Sequence, residues 1–91
     1  MNKATLEELL GLADIPRCRA IFTKLSSIKE HVNMRTLGES LDMGNSTLGR
    51  NLRYMKNAKI IVMETSSGNQ KSVYVASNEE AKKFENIIKK Y

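Results

Sequence analysis

The side chains best suited to chemistry lie close together in residues 41–55, LDMGNSTLGRNLRYM. Asn45, Ser46 and Thr47 are short and polar, Gly49 has no side chain, and Arg50 and Arg53 carry guanidinium groups. A helix that starts at the polar triplet offers free backbone N–H groups and the positive end of its dipole to a phosphate. Short side chains let a ligand come near, and guanidinium groups one turn on supply forked donors. An ordinary surface helix would carry Glu, Lys and Ala instead. This chemistry binds an anion; it does not make or break a bond.

The other reactive residue types are scattered. Cys18 and His31 are each the sole residue of their type, without the C-x-x-C or H-x-x-x-H spacing of a metal site. Cys18 reads as a small buried hydrophobe. No paired carboxylates and no Ser/His/Asp arrangement stand at a readable spacing, and one histidine gives acid–base chemistry little to work with. No enzyme, no metal and no cofactor is expected.

The charge distribution agrees with anion binding. The 91 residues carry a net charge of +5. Residues 1–43 hold six basic and six acidic groups and are neutral. Residues 44–75 hold Arg50, Arg53, Lys56, Lys59 and Lys71 against Glu64 alone, a local +4. A positive field confined to one segment is the footprint of a polyanion-binding surface; its plain rival is a solvated basic face.

Length and composition bound the rest. Ninety-one residues suffice for one domain with one modest core. The absence of Trp leaves aliphatic and Met side chains to fill that core. A single cysteine excludes an internal disulfide and points to a reducing compartment. No apolar run approaches the roughly 18–20 residues of a membrane span, and the first ten residues, MNKATLEELL, are acidic where a signal peptide is basic. A cytoplasmic, nucleoid-associated protein is expected.

The elements that must position residues 41–55 follow from caps and periodicity. Thr5 and Glu8 form a capping box before a helix over about 5–13. Pro16 suits the first turn of a helix over about 16–31, with Ile21, Leu25, Ile28 and Val32 on its buried stripe. Thr36 and Glu39 repeat the capping signal for a short helix over about 36–42, where Gly38 implies close approach of another backbone. After a turn comes the arginine-bearing helix, ending near Asn57, with Leu48, Leu52 and Met55 inward. IIVMET and KSVYVA around SSGNQ predict a β-hairpin over residues 60–76, its buried face left open by the contiguous Val73, Tyr74 and Val75. Ser77 and Glu80 predict a last helix over about 78–90, with Ala81, Phe84, Ile87, Ile88 and Tyr91 on one side.

A short helix, a tight turn, an arginine-bearing helix and a hairpin follow one another. In that order the chain resembles the winged helix-turn-helix transcription regulators of the broad ArsR and MarR type. The likeness rests on LGESLDMGNSTLGRNLRYMKNAKIIV, residues 37–62, and on the hairpin ending VYVAS; it covers roughly residues 16–80. Its most specific part is residues 46–55, STLGRNLRYM. The fold it implies is mainly α with a small β-hairpin, a winged helix-turn-helix with extra helices at 1–15 and 81–91. Three positions depart from the pattern: Asp42 and Lys59 stand where these families often have glycine, and Gly44 stands where a Ser N-cap is common. Asp tolerates the left-handed conformation, so the turn at Asp42 survives. Lys59 puts the lead into the hairpin in question.

The resemblance implies that helix 46–57 enters the major groove of double-stranded DNA with hairpin 60–76 as the wing. Asn45, Ser46 and Thr47 then approach phosphate, and Gly49 permits close contact. Arg50 reaches base edges, with guanine O6 and N7 the usual target, and Asn51 reads adenine or touches backbone. Arg53 and Lys56 contact phosphate. Ser67, Asn69, Gln70 and Lys71 near the hairpin tip meet phosphate or the minor groove. The expected function is sequence-specific DNA binding in transcription regulation. The expected partner is a second copy, a homodimer formed through residues 3–13 and 78–91. No membrane contact and no small-molecule effector is expected, since the clustered thiols or imidazoles of ArsR-type sensors are lacking. Two rival readings are a winged helix that binds protein within a transcription or replication assembly, and a nonspecific architectural DNA binder.

Overall fold

The computed structural model describes residues 5–28, 30–65, 68 and 70–91. Among them it contains five helices and one three-stranded antiparallel sheet. Helix α1 (Leu6–Ala13) starts at the expected capping box: Glu8 N–H donates to the Thr5 hydroxyl, and Thr5 N–H donates to the Glu8 carboxylate at 3.1 Å. Helix α2 (Pro16–Ile28) stops short of residue 31. Val32, expected as the last step of its stripe, belongs instead to strand β1 (Val32–Asn33) and pairs with Val73. Its spacing fits the helical stripe, and two residues are too few to show strand alternation.

Helix α3 (Met34–Leu41) begins earlier than Thr36. Asn33 is its N-cap, with Oδ1 accepting from the N–H groups of Arg35 and Thr36 at 2.9 and 3.4 Å. An Asn side chain at the end of a strand satisfies the first-turn donors, so the Thr36–Glu39 box is not used. The turn after α3 runs through Asp42 in the left-handed conformation, φ 54°, as its residue type allows. Gly38 is where the turn folds back. A Cβ there would lie 3.1 Å from the Met43 carbonyl oxygen and 3.2 Å from Leu48 Cδ2. The close approach expected at Gly38 therefore comes from the turn backbone and a leucine, rather than from another helix backbone.

Helix α4 (Asn45–Asn57) carries Leu48, Leu52 and Met55 fully into the core. Lys59 then takes a left-handed φ of 65°, supplying the conformation for which glycine is the usual residue. Strands β2 (Ile61–Thr65) and β3 (Lys71–Val75) pair antiparallel from Ile61 opposite Val75 to Thr65 opposite Lys71, and the sheet order is β1-β3-β2. Val73, fully buried, settles which face of the hairpin turns inward. His31 and Tyr74 stay on the outer side.

Helix α5 (Glu79–Ile88) is capped by Asn78, not by Ser77. Asn78 Oδ1 accepts from Ala81 N–H at 2.8 Å, and its Nδ2 donates to the Lys59 carbonyl at 2.8 Å. The same amide thus ties α5 to the corner between α4 and β2. Phe84 meets Phe22 of α2 edge to face, with centroids 4.9 Å apart. Helices α1 and α5 pack on each other, so Leu9, Ala13, Ala81 and Phe84 all serve the core. Leu6, Leu10 and Tyr91 remain exposed at 60%, 43% and 61%, the apolar surface these two helices leave outside. The Tyr91 hydroxyl donates to Asp14, and the Arg19 guanidinium lies 4.4 Å above the Tyr91 ring. Among the described residues no helix is long and apolar enough to cross a membrane.

Candidate nucleic-acid interface

Helix α4 has two sides of opposite character, set by the 3.6-residue period. Its inward side holds Leu48, Asn51, Leu52 and Met55. Opposite them, Ser46, Arg50, Arg53 and Asn57 follow at i, i+4, i+7 and i+11, and all four are exposed. Lys56 is exposed beside this line, as are Asn45 and Tyr54. Among the described residues no carboxylate pairs with Arg50, Arg53 or Lys56; the ion pairs found there join Arg35 to Glu39 and His31 to Glu64. Their positive charge is open to a ligand.

The start of α4 adds a second feature. Its N-cap, Gly44, makes no side-chain hydrogen bond. The first-turn N–H groups of a helix have no partner within the helix, so they face outward here with the positive dipole end behind them. An open cleft of about 890 Å³ lies next to them, bordered by Arg35 and Glu39 of α3, by the turn from Asp42 to Gly44, by Asn45, and by Gln70 and Lys71. The start of β3 is thereby brought beside the start of α4, as a joint surface requires.

Three expected contributors stand elsewhere. Asn51 is 6% exposed and belongs to the core side. Its Nδ2 donates to the Thr47 carbonyl at 2.9 Å, and its Oδ1 accepts from Cys18 Sγ at 3.6 Å. It therefore links α4 to α2 and is not available to a base. Gly49 is half-buried on the flank towards α3, with Met34 Cε 3.7 Å from where a Cβ would sit, so it does not open the centre of the exposed face. Thr47 is also half-buried. Asn69 and Ser67 lie outside the described residues. The sequence reading missed Asn57 as a side chain of the exposed line; its distance of eleven residues from Ser46 was the signal.

The remaining titratable groups do not build a reaction site. Burial pushes the Cys18 thiol up to about 11, away from thiolate chemistry. The hydrogen bond to Glu64 raises the Tyr74 phenol above its ordinary value, and the bond to Asp14 does the same for Tyr91. Among the described residues no three His, Cys, Asp or Glu side chains gather as metal ligands would.

No protein-family model matches this chain, and neither does any curated protein or solved structure.

Proposed function

We propose that this chain is a winged helix-turn-helix protein that binds double-stranded DNA in a sequence-specific way and regulates transcription. Helix α4 enters the major groove, and the β2–β3 hairpin is the wing. The observation that carries this reading is the exposed line Ser46, Arg50, Arg53 and Asn57, cationic, short at its start and without a paired carboxylate. The order of elements, α2-β1-α3-α4-β2-β3, supports it, as does the cleft that the start of α4 shares with Gln70 and Lys71 of the hairpin. Arg50 reads a base edge, preferring guanine. Arg53 and Lys56 hold phosphate, as do Lys71 and the first-turn N–H groups of α4. Asn57 takes the place at the far end of the exposed line that Asn51 cannot fill.

The protein acts as a homodimer through α1 and α5, with Leu6, Leu10 and Tyr91 as its apolar contacts. A dimer reads two half-sites roughly 34–36 Å apart, or a multiple of that, and so gains specificity that one small domain lacks.

Selection of binding sites from random duplex DNA, with the mass of the complex measured, tests the whole reading. A palindromic site and a mass of two chains per duplex are expected. With about four to seven phosphate contacts per protomer, log K falls against log salt with a slope of roughly −4 to −6. No enriched sequence but tight binding would favour the architectural reading. No duplex binding at low salt, with a stoichiometric protein partner recovered instead, would favour the protein-interaction reading.

A further inference from the structure

The inward side of α4 holds one side chain that apolar packing does not explain. Leu48, Leu52 and Met55 are fully buried, and they attach the helix to the core without prescribing its rotation, because apolar contact is non-directional. Met55 also adapts its shape to its neighbours. Asn51 is buried among them; only it and Glu80 are both polar and buried among the described residues. Its Oδ1 accepts from the thiol of Cys18, fully buried in α2, at 3.6 Å. Its Nδ2 donates to the Thr47 carbonyl of its own helix at 2.9 Å. Burial raises the thiol to about 11, so Cys18 keeps its proton and stays a donor. One bond thus fixes the amide against α4, and the other ties it to α2. Hydrogen bonds, unlike apolar contacts, are directional. The best-attested role of a lone buried asparagine is to fix register.

We propose that Asn51 is a positioning residue that fixes the rotation of α4 about its own axis and so aims Arg50 at one base pair. The DNA part rests on the function proposed above. Arg50 adjoins Asn51 in the chain, and successive helical residues differ by about 100°. Holding Asn51 inward therefore holds Arg50 outward in one direction. A rotation of about 10° carries a group roughly 6 Å from the helix axis through about 1 Å. A constellation of paired contacts tolerates only about 0.5 Å and 10–20°. The phosphate contacts proposed for Arg53 and Lys56 hold the duplex without reading its sequence. The pin therefore acts on sequence preference far more than on total affinity.

Amide residual dipolar couplings of residues 45–57 in the free protein test the pin without DNA, because their periodic variation reports how a helix is rotated about its axis. Asn51→Leu keeps much of the shape and removes both bonds. Its urea midpoint is expected at or near the wild-type value, with the phase of the couplings shifted by about 10° or more. The wild-type phase in a folded Asn51→Leu overturns the pin. Where Asn51→Leu does not fold, Cys18 decides: Cys18→Ser keeps a donor and should keep the phase, whereas Cys18→Ala removes the donor and should shift it. Equal phases in those two variants overturn the pin. The DNA part is read by titrating a selected and a random duplex. Asn51→Leu should bind the random duplex within about twofold of wild type and lose about fivefold or more of its preference for the selected one, the low end of what one paired base contact supplies. Cys18→Ser should keep the preference that Cys18→Ala loses. An unchanged preference in Asn51→Leu, or equal preference in the two Cys18 variants, overturns the DNA part. A wild type that binds no duplex, or all alike, sinks the function proposed above instead, and the pin is then judged on the couplings alone.

Discussion

Helices α4 and α5 are both amphipathic and both anchored by side chains in one core, yet their outer faces differ. On α4, Arg50, Arg53 and Lys56 stand with Ser46 and Asn57, and no acidic residue occurs between Asn45 and Asn57. On α5 and the two residues that follow it, Lys82, Lys83, Lys89 and Lys90 alternate with Glu79 and Glu85, all exposed. Counting cations, with Lys89 and Lys90 included, would favour α5. The side chains favour α4: guanidinium forks and short polar groups suit a flat, acceptor-rich partner, whereas mixed Lys and Glu suit water.

The largest effects break what the two helices share. Leu52→Ala in α4 and Phe84→Ala in α5 each empty a fully buried site, and Phe84 also loses its contact with Phe22. Urea unfolding should show losses of about 2–5 and 3–5 kcal/mol respectively. Similar losses on the two helices fit one core; a small loss at Phe84 would make α5 an appendage.

Duplex affinity then separates them. Arg50→Ala should cost about 1–3 kcal/mol and relax preference at one base pair. Lys82→Ala or Lys89→Ala should change affinity by less than about twofold, because screening weakens charges more than about 8–10 Å from the duplex. Fluorescence anisotropy titrations measure both. Equal losses from α4 and α5 would erase the distinction.

Two glycines sharpen the account of how α4 is held. Gly38→Ala brings a methyl against the Met43 carbonyl and should lower stability despite the better helix propensity. Gly49→Ala meets only Met34 at ordinary contact distance and should raise stability by about 0.5–1 kcal/mol. Affinity for duplex should stay within about twofold in Gly49→Ala; a larger drop would mean that DNA reaches this flank.

The smallest effect concerns pH. The folded state favours the neutral Cys18 thiol, so its contribution is complete below the ordinary thiol value of 9.0 and is lost as pH rises through about 11. Tyr74 and Tyr91, raised by their hydrogen bonds, shift in the same sense at alkaline pH. The unfolding midpoint should fall between pH 9 and 11, and Cys18→Ala should flatten part of that fall.

Much of the frame was legible in the sequence. The stripe of Leu48, Leu52 and Met55 fixed the inward side of α4, and the β-branched runs around SSGNQ marked the hairpin. Asp42 announced its own left-handed turn. The misses share a cause, which is that local signals compete. Asn33 and Asn78 cap α3 and α5, although Thr36 and Ser77 offered fuller capping boxes; a strand end in one case and a bond to the Lys59 carbonyl in the other decided between them. Asn51 misled by residue type. It stands three residues after Leu48 and four before Met55, which places it inward, and a buried amide is tolerated because Cys18 and Thr47 complete its hydrogen bonds. The cluster of His31, Glu64 and Tyr74 could not be read at all, since it joins residues 33 and 43 positions apart through strand register.

The central claim is that the exposed face of α4 meets duplex DNA. Titration of isotope-labelled protein with a short duplex, followed by amide and side-chain resonance shifts, tests it most directly. The account predicts the largest shifts at Ser46, Arg50, Arg53, Asn57 and Lys71, with Lys82, Lys83, Lys89 and Lys90 nearly still. Shifts centred on α5, or none at low salt, would contradict it.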